Sequence, residues 1–131
     1  METRSSKSSK YMEQVLRMSV IFKIVPKTMW QDAETAGVFK GAPVDLADGF
    51  IHFSSAEQVR ETAAKHFAGQ TDLLIAAFDT AAFGEALKWE PSRGGALFPH
   101  LYEDLDPTSA LWVKELPVDG DGAHQFPELD A

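Results

Sequence analysis

Apolar residues occur along this chain in two patterns, and each pattern predicts a different kind of element. Mainly apolar runs at residues 20–25, 72–78 and 110–116 have the length and residue types of buried strands. Apolar residues at every third or fourth position over residues 28–36 and 56–69 indicate two amphipathic helices. The chain is therefore predicted to form a mixed domain with several strands and two main helices.

Capping residues set the limits of the first helix. Thr28 and Gln31 have the spacing of a capping box, and Gly37 supplies a C-terminal stop. Trp30 falls on the apolar side of this helix, so we expect it in the core. Residues 38–47 contain glycine and proline and are predicted to be a loop or a short edge segment.

Residues 48–55, DGFIHFSS, join a turn, a short strand and a helix start without a gap. Ser54 or Ser55 is predicted to cap the helix that follows. Alternation along the strand places His52 and Ser54 on one face and the apolar residues Ile51 and Phe53 on the other. His52 is then either a core histidine with a satisfied hydrogen bond or one wall of a site.

A second unusual stretch comprises residues 91–102, PSRGGALFPHLY, after an extended segment at residues 87–90. Its two adjacent glycines allow close backbone approach and its prolines stiffen the chain, which is typical of a ligand-binding loop. The alternative is a plain glycine turn with His100 and Tyr102 packed below it. If both stretches carry chemistry, residues 48–55 and 90–102 should line one cleft.

Composition limits the classes of function. The chain has 131 residues, no cysteine and a formal net charge of −8. Its acidic balance disfavours binding to duplex nucleic acid, and no apolar run is long enough to span a bilayer. Without cysteine there are no disulfides and no thiolate chemistry, which is compatible with a cytoplasmic protein. No secretory signal is expected, because no apolar region follows the basic residues near the start.

Domain limits follow from the same composition. Residues 1–17 are predicted to be a disordered or loosely attached extension, and Met18 is an equally plausible start. Residues 18–118 should form a single globular domain. Residues 119–131 are expected to be a loose acidic tail, whose DGDG segment is a turn because it lacks the spacing of a calcium loop.

Several segments together carry a resemblance to a known family. They are IFKIV, VDLADGFIHFSSAEQV and LKWEPSRGGALFPHLY, with a leucine-rich finish, within residues 20–116. They resemble the bacterial family called domain of unknown function 952. That family is similar in fold to the ADP-ribosyltransferase superfamily, which also includes the RNA 2′-phosphotransferases. The resemblance implies an α+β domain with a split pair of small antiparallel sheets and a cleft between them.

The resemblance also implies positions for site residues. In the superfamily the first core strand carries a residue that holds a ribose of NAD, and here that position is Lys23 or its neighbour Phe22. A later strand contributes a second polar residue, here His52 followed by Ser54. The final strand often carries a catalytic glutamate.

At the third position this sequence departs from the superfamily. The third position, near His100, is not occupied by an acidic residue, although Glu90 on the adjacent arm is a candidate replacement. The RNA 2′-phosphotransferases also lack that glutamate. The departure therefore weakens ADP-ribosyl transfer more than recognition of the nucleotide.

Three functions remain open at this point. The first is an NAD-dependent enzyme, ADP-ribosyltransferase-like or phosphotransferase-like, that binds NAD or an ADP-ribose-like nucleotide and transfers or hydrolyses its ADP-ribosyl group. The second is a noncatalytic module for a nucleotide or small anion, and the third is a metal hydrolase with histidine ligands. The sequence leaves the oligomeric state open, and no metal cofactor is expected. The candidate catalytic residues are His52, Glu90 and His100, and the candidate ligand-binding residues are Lys23, Ser54, Arg93, Gly94, Gly95 and Tyr102.

Overall fold

The computed structural model describes residues 19–129, and this part of the chain forms two antiparallel sheets and three helices. The predicted extension at residues 1–17 lies outside the described residues. None of the described helices has the length and apolar character needed to cross a membrane. The strands are β1 (Val20–Pro26), β2 (Ile51–His52), β3 (Ser54–Ser55), β4 (Leu73–Asp79), β5 (Leu87–Pro91), β6 (Leu97–Leu101) and β7 (Trp112–Glu115), and the helices are α1 (Lys27–Ala36), α2 (Pro43–Asp48) and α3 (Val59–His66).

The first sheet has the strand order β3-β1-β4-β7 and contains the apolar runs predicted as strands. Its central strands β1 and β4 are buried along nearly their whole length. Ile21 and Val25 pack into one core cluster while Phe22 and Ile24 pack into another, so β1 carries core on both faces. This two-sided burial explains why β1 and β4 are apolar at nearly every position.

The second sheet has the order β2-β6-β5 and corrects the interpretation of residues 91–102 as a loop. Residues 97–101 of that stretch form strand β6, Pro91 ends β5, and residues 92–96 turn between the two strands. Pro99 misled the prediction, because proline disfavours a central strand. Pro99 is tolerated here because its pair with Phe53 contains a single hydrogen bond. The Phe53 amide donates to the Pro99 carbonyl at 3.0 Å, and Pro99 has no N–H that could donate in return.

That half-made pair also marks the place where the chain leaves the second sheet. β2 ends at His52, and after the single residue Phe53 the chain pairs with β1 of the first sheet as β3. Residues 50–55 therefore belong to both sheets. The predicted helix cap at Ser54 or Ser55 is wrong for this reason. Helix α3 begins at Val59 with no side-chain cap, although the Ser55 amide donates to the Gln58 side chain at 3.0 Å.

Helix α1 agrees with its predicted course but not with its predicted cap. It starts directly after Pro26, and no side chain caps it, so the Thr28 and Gln31 capping box is wrong. Gly37 ends the helix in the left-handed conformation at φ 81°, as predicted. Trp30 is 1% exposed and belongs to the core, which confirms its predicted place.

Helix α2 was not predicted, because its pattern is inverted. Val44 and Leu46 are exposed while Asp45 is buried, so the apolar periodicity points away from the core. Pro43 in the first turn and Gly49 after the last residue, at φ 88°, define its limits. The helix is positioned by hydrogen bonds to Asp45 rather than by apolar packing.

The segment predicted as a loose acidic tail contains two residues that contact the core. Phe126 and Leu129 pack against the cluster on the α3 side of the first sheet. The guanidinium of Arg60 lies 5.1 Å from the centre of the Phe126 ring, and Val118 forms an isolated bridge with His124. These contacts place residues up to Leu129 against α3.

Candidate functional site

A cavity of about 550 Å³ lies between β1, the second sheet and helices α2 and α3. One part of its wall is apolar, and the other part carries hydroxyl, imidazole and charged groups. This combination is typical of a small-molecule site, where apolar surface supplies affinity and a few polar groups fix orientation. The apolar lining includes Phe22, Ile24, Met29, Phe67 and Phe98, and the polar lining includes Lys23, Asp48, His52, Ser54, Thr62, His66, Ser92 and His100.

His52 and His100 are directly opposite each other on neighbouring strands, and both line the cavity. Their ring centres are 5.5 Å apart, with the rings nearly perpendicular. The prediction that residues 48–55 and 90–102 meet in one cleft is confirmed by this pair. The pairing follows from the register of β2 with β6, because residues opposite each other in an antiparallel pair share one face of the sheet.

Two carboxylates hold the ring of His52. Its Nδ1 lies 2.6 Å from Asp45 Oδ1 and its Nε2 lies 2.9 Å from Asp48 Oδ2. A carboxylate at each ring nitrogen fixes the orientation of the imidazole.

Asp45 is the centre of this arrangement and is 1% exposed. Its carboxylate accepts from Lys23 Nζ at 2.9 and 3.1 Å, from the Ala42 amide at 2.7 Å and from the His52 amide at 3.1 Å. Burial alone would raise the pKa of Asp45, but the His52 hydrogen bond and the Lys23 charge lower it to about 2. A Cβ at Gly41 would come within 2.8 Å of the Asp45 Cβ, so the corner is tightly packed.

Lys23 lines the cavity but is engaged within the protein. Besides Asp45, its ammonium donates to the His52 carbonyl at 2.9 Å. Burial lowers the pKa of Lys23, and the nearby Asp45 carboxylate opposes that shift. In this structure Lys23 neutralises Asp45 and fixes the end of β2, while its predicted role in ligand binding remains a prediction.

The ring of His100 has a different environment. Its Nδ1 lies 2.8 Å from Glu90 Oε1, which also accepts the Tyr102 hydroxyl at 2.7 Å. The Phe50 ring stacks on the imidazole with centres 4.1 Å apart. The hydrogen bond with His100 is the main cause that lowers the pKa of Glu90. The hydrogen bond to Glu90 raises the pKa of Tyr102. Glu90 and Tyr102 are not among the residues that line the cavity, so Glu90 is connected to it through His100.

The remaining predicted residues lie in the cavity wall or in the turn between β5 and β6. Ser54 is buried in the cavity wall, with its hydroxyl 2.8 Å from that of Thr62. Gly94 and Gly95 form the turn between β5 and β6 at φ 66° and 84°, and the Gly95 amide donates to the Ser92 carbonyl at 2.8 Å. That turn explains the glycine pair without a ligand, and the ligand-binding role of Gly94 and Gly95 stays a prediction. The side chain of Arg93 lies outside the described part of the structure.

Sequence reasoning missed Asp45, which it placed in a loop. Asp48 and Phe50 lie within the stretch predicted to line the cleft, but neither was named as a site residue, and Asp48 was interpreted as a turn residue. The available signal was Pro43 two residues before an aspartate, because proline and acidic residues are both favoured in the first turn of a helix. Nothing in the apolar pattern indicated that the aspartate side of this helix faces inward.

The metal-hydrolase alternative required His52, His100 and Glu90 to act as ligands. Within residues 19–129, no three histidine, aspartate or glutamate side chains form a group suited to a metal ion. The Nδ1 and Nε2 atoms of His52 each lie within hydrogen-bond distance of a carboxylate. No observation at the site favours this alternative over the other two.

The fold and cleft define an α+β protein with two small sheets and a paired-histidine cavity between them. The family model described as "Protein of unknown function (DUF952)" matches residues 24–113. The chain belongs to this family.

Solved structures of one relative have the same fold. The crystal structure of protein CC0527 from Caulobacter crescentus is 49% identical in sequence, with a TM-score of 0.78 over 81% of this chain and 93% of that chain. Its solution NMR structure is 48% identical, with a TM-score of 0.75 over 82% of this chain and 92% of that chain. No curated protein matches the chain.

Proposed function

We propose that the cavity is an ADP-ribosyltransferase-like cleft that binds NAD or an ADP-ribose-like nucleotide and acts on its ADP-ribosyl group. The observation that carries this proposal is the His52 and His100 pair, which lies at the cavity between the two sheets. The apolar wall suits a planar ring, and the histidines and Ser54 suit the hydroxyls of a ribose.

The two histidines have complementary roles in the proposed chemistry. The glycosidic bond to nicotinamide breaks with its electron pair passing to the pyridinium nitrogen, which leaves an oxocarbenium-like sugar carbon. Water or an acceptor hydroxyl then attacks that carbon and gives up a proton. With Nδ1–H donating to Glu90, His100 keeps a basic Nε2 that can take this proton, while His52 holds the sugar as a fixed donor.

A specific observation favours a noncatalytic binding module as the second candidate. Among the described residues that line the cavity, Asp48 is the one carboxylate, and it is already bonded to His52. Glu90, the proposed replacement for the superfamily's glutamate, lies behind His100. A cleft without a carboxylate beside the sugar carbon stabilises the oxocarbenium state less, but it still binds the nucleotide.

Incubation of the purified protein with NAD, followed by detection of free nicotinamide, separates the two candidates. Calorimetry with ADP-ribose then measures binding for wild type, His52→Ala and His100→Ala. Because hydrogen bonds to charged groups contribute about 1.5–3 kcal/mol, we expect each substitution to weaken binding by about tenfold or more.

His124→Ala is the matched control, because it removes a partly buried imidazole that is bonded to the Gln70 carbonyl outside this cavity. It should bind ADP-ribose as wild type does. Binding by wild type without nicotinamide release would support the noncatalytic module. No binding of either NAD or ADP-ribose would reject both candidates as stated.

A further inference from the structure

Asp48 occupies a special position at the cavity. It is the last residue of α2, its side chain is about half exposed, and its Oδ2 accepts from the Nε2 atom of His52. Neither Asp48 nor its contact with His52 follows from the resemblance to the ADP-ribosyltransferase superfamily. The pair presents an acceptor and a donor side by side at the entrance to a cavity.

We propose that Asp48 and His52 together select a ribose whose two neighbouring hydroxyls are free. This inference rests on the proposed function. A hydroxyl group both donates and accepts, so one that enters between these side chains donates to Asp48 and accepts from His52. Both groups then keep a partner when their direct contact is replaced. The second hydroxyl of the sugar donates to the other carboxylate oxygen.

The charges around the pair exclude a phosphorylated hydroxyl at the same place. A phosphomonoester carries a charge of about −1.5 to −2 and would lie against the Asp48 carboxylate. The nearby ammonium of Lys23 is held by Asp45, both side chains being buried. His52 is itself shared between two carboxylates. The site therefore favours ribose over both 2-deoxyribose and 2-phosphoribose, which distinguishes it from a site for 2′-phosphorylated RNA ends.

The test is a comparison of ADP-ribose with its two deoxy analogues, each of which lacks the 2-hydroxyl on one of the riboses. Calorimetry is run with wild type and with Asp48→Asn, which keeps the size of the side chain and an acceptor oxygen but removes the charge. Asp32→Asn is the matched control, because Asp32 is exposed on α1 away from the cavity. Melting curves without ligand verify that each variant is folded.

For wild type we expect one of the two deoxy analogues to bind about tenfold to a hundredfold more weakly than ADP-ribose. In Asp48→Asn that difference in affinity should shrink to a few-fold or less, because the main acceptor of the hydroxyl has lost its charge. Asp32→Asn should behave as wild type does. An analogue with a 2-phosphate on the same ribose should bind wild type worst and should gain affinity in Asp48→Asn.

Two results would overturn the inference. Equal binding of ADP-ribose and both deoxy analogues by wild type would reject it while leaving nucleotide binding intact. An equally large preference in wild type and Asp48→Asn would show that another residue reads the hydroxyl. If wild type binds none of the compounds, the proposed function fails as well, so the two failures are distinguishable.

Discussion

His52 and His100 are partners across one pair of strands and both pack against Phe50, yet their ring nitrogens are held differently. His52 is held at both ring nitrogens by carboxylates, one of which is buried with its own lysine. His100 has a bond from Nδ1 to a carboxylate on a partly exposed side chain. The His52 side chain is 30% exposed and the His100 side chain 5%, so the two rings also differ in burial.

The comparison shows how neighbouring residues of one type acquire different chemistry. Asp45 is buried and accepts from several donors, so it fixes the His52 ring in one orientation. Glu90 orients the His100 ring through Nδ1 from a side chain that is 35% exposed. The difference comes from the helix and the strand that supply the carboxylates, since α2 buries Asp45 while β5 keeps Glu90 near solvent.

Asp45→Ala should have the largest effect on this contrast. It leaves the Lys23 ammonium buried without its anion, and loss of one partner of a buried pair costs about 3–5 kcal/mol. Urea unfolding should show a loss of that size, whereas Glu90→Ala should change stability much less because Glu90 is half exposed.

A double variant tests whether the stranded charge is the cause. Lys23→Met with Asp45→Leu removes both charges and should recover part of the stability lost in Asp45→Ala. If Asp45→Ala unfolds at the same urea concentration as wild type, Asp45 is not the anchor that its contacts indicate.

The second-largest effect should be a loss of stability in acid, because acid protonates Asp45, the buried carboxylate that holds His52. Asp45 has a pKa of about 2 in the folded protein against the usual 3.8. Its contribution is therefore fully present above the unfolded value and is lost as the pH falls through the folded value, at a cost of about 2 kcal/mol. The unfolding free energies of wild type and Asp45→Asn should converge as the pH falls from about 5 to about 2. A constant difference across that range would contradict the assignment.

The smallest predicted effect concerns Glu90, the carboxylate that holds His100. It is measured by titration of Tyr102 and not by unfolding. The hydrogen bond from Tyr102 to Glu90 raises the pKa of the phenol above its usual 10.0. In a Tyr11→Phe background, ultraviolet absorbance should report phenolate formation at Tyr102 alone, and Glu90→Gln should lower its midpoint. An unchanged midpoint would mean that the bond to Glu90 does not control this group.

The sequence was sufficient for the strongly apolar parts of the fold. Strands β1 and β4 and the core position of Trp30 follow from burial alone, because such residues have one favourable place in a folded chain. It was insufficient for α2, where a buried aspartate between two exposed apolar residues reverses the usual pattern. A periodicity argument cannot predict a helix that is held by hydrogen bonds to one carboxylate.

The sequence predicted the strand residues of the site but not the hydrogen bonds that connect their side chains. His52 and His100 could be named from local patterns, since each stands on a short extended segment beside turn residues. Their pairing depended on a register that only the folded chain shows. Asp45, which lies between Lys23 and His52, could not be connected to either residue because its bond partners are 22 and 7 residues away.

The single residue between β2 and β3 has a mechanical consequence for the cleft. Phe53 is buried, and one residue spans no more than about 3.6 Å, so the two sheets cannot separate at this point without pulling its ring from the core. Phe53 therefore fixes the junction of the two sheets. Because His52 and Ser54 flank it directly, the backbone of this junction sets the spacing between the imidazole and the hydroxyl.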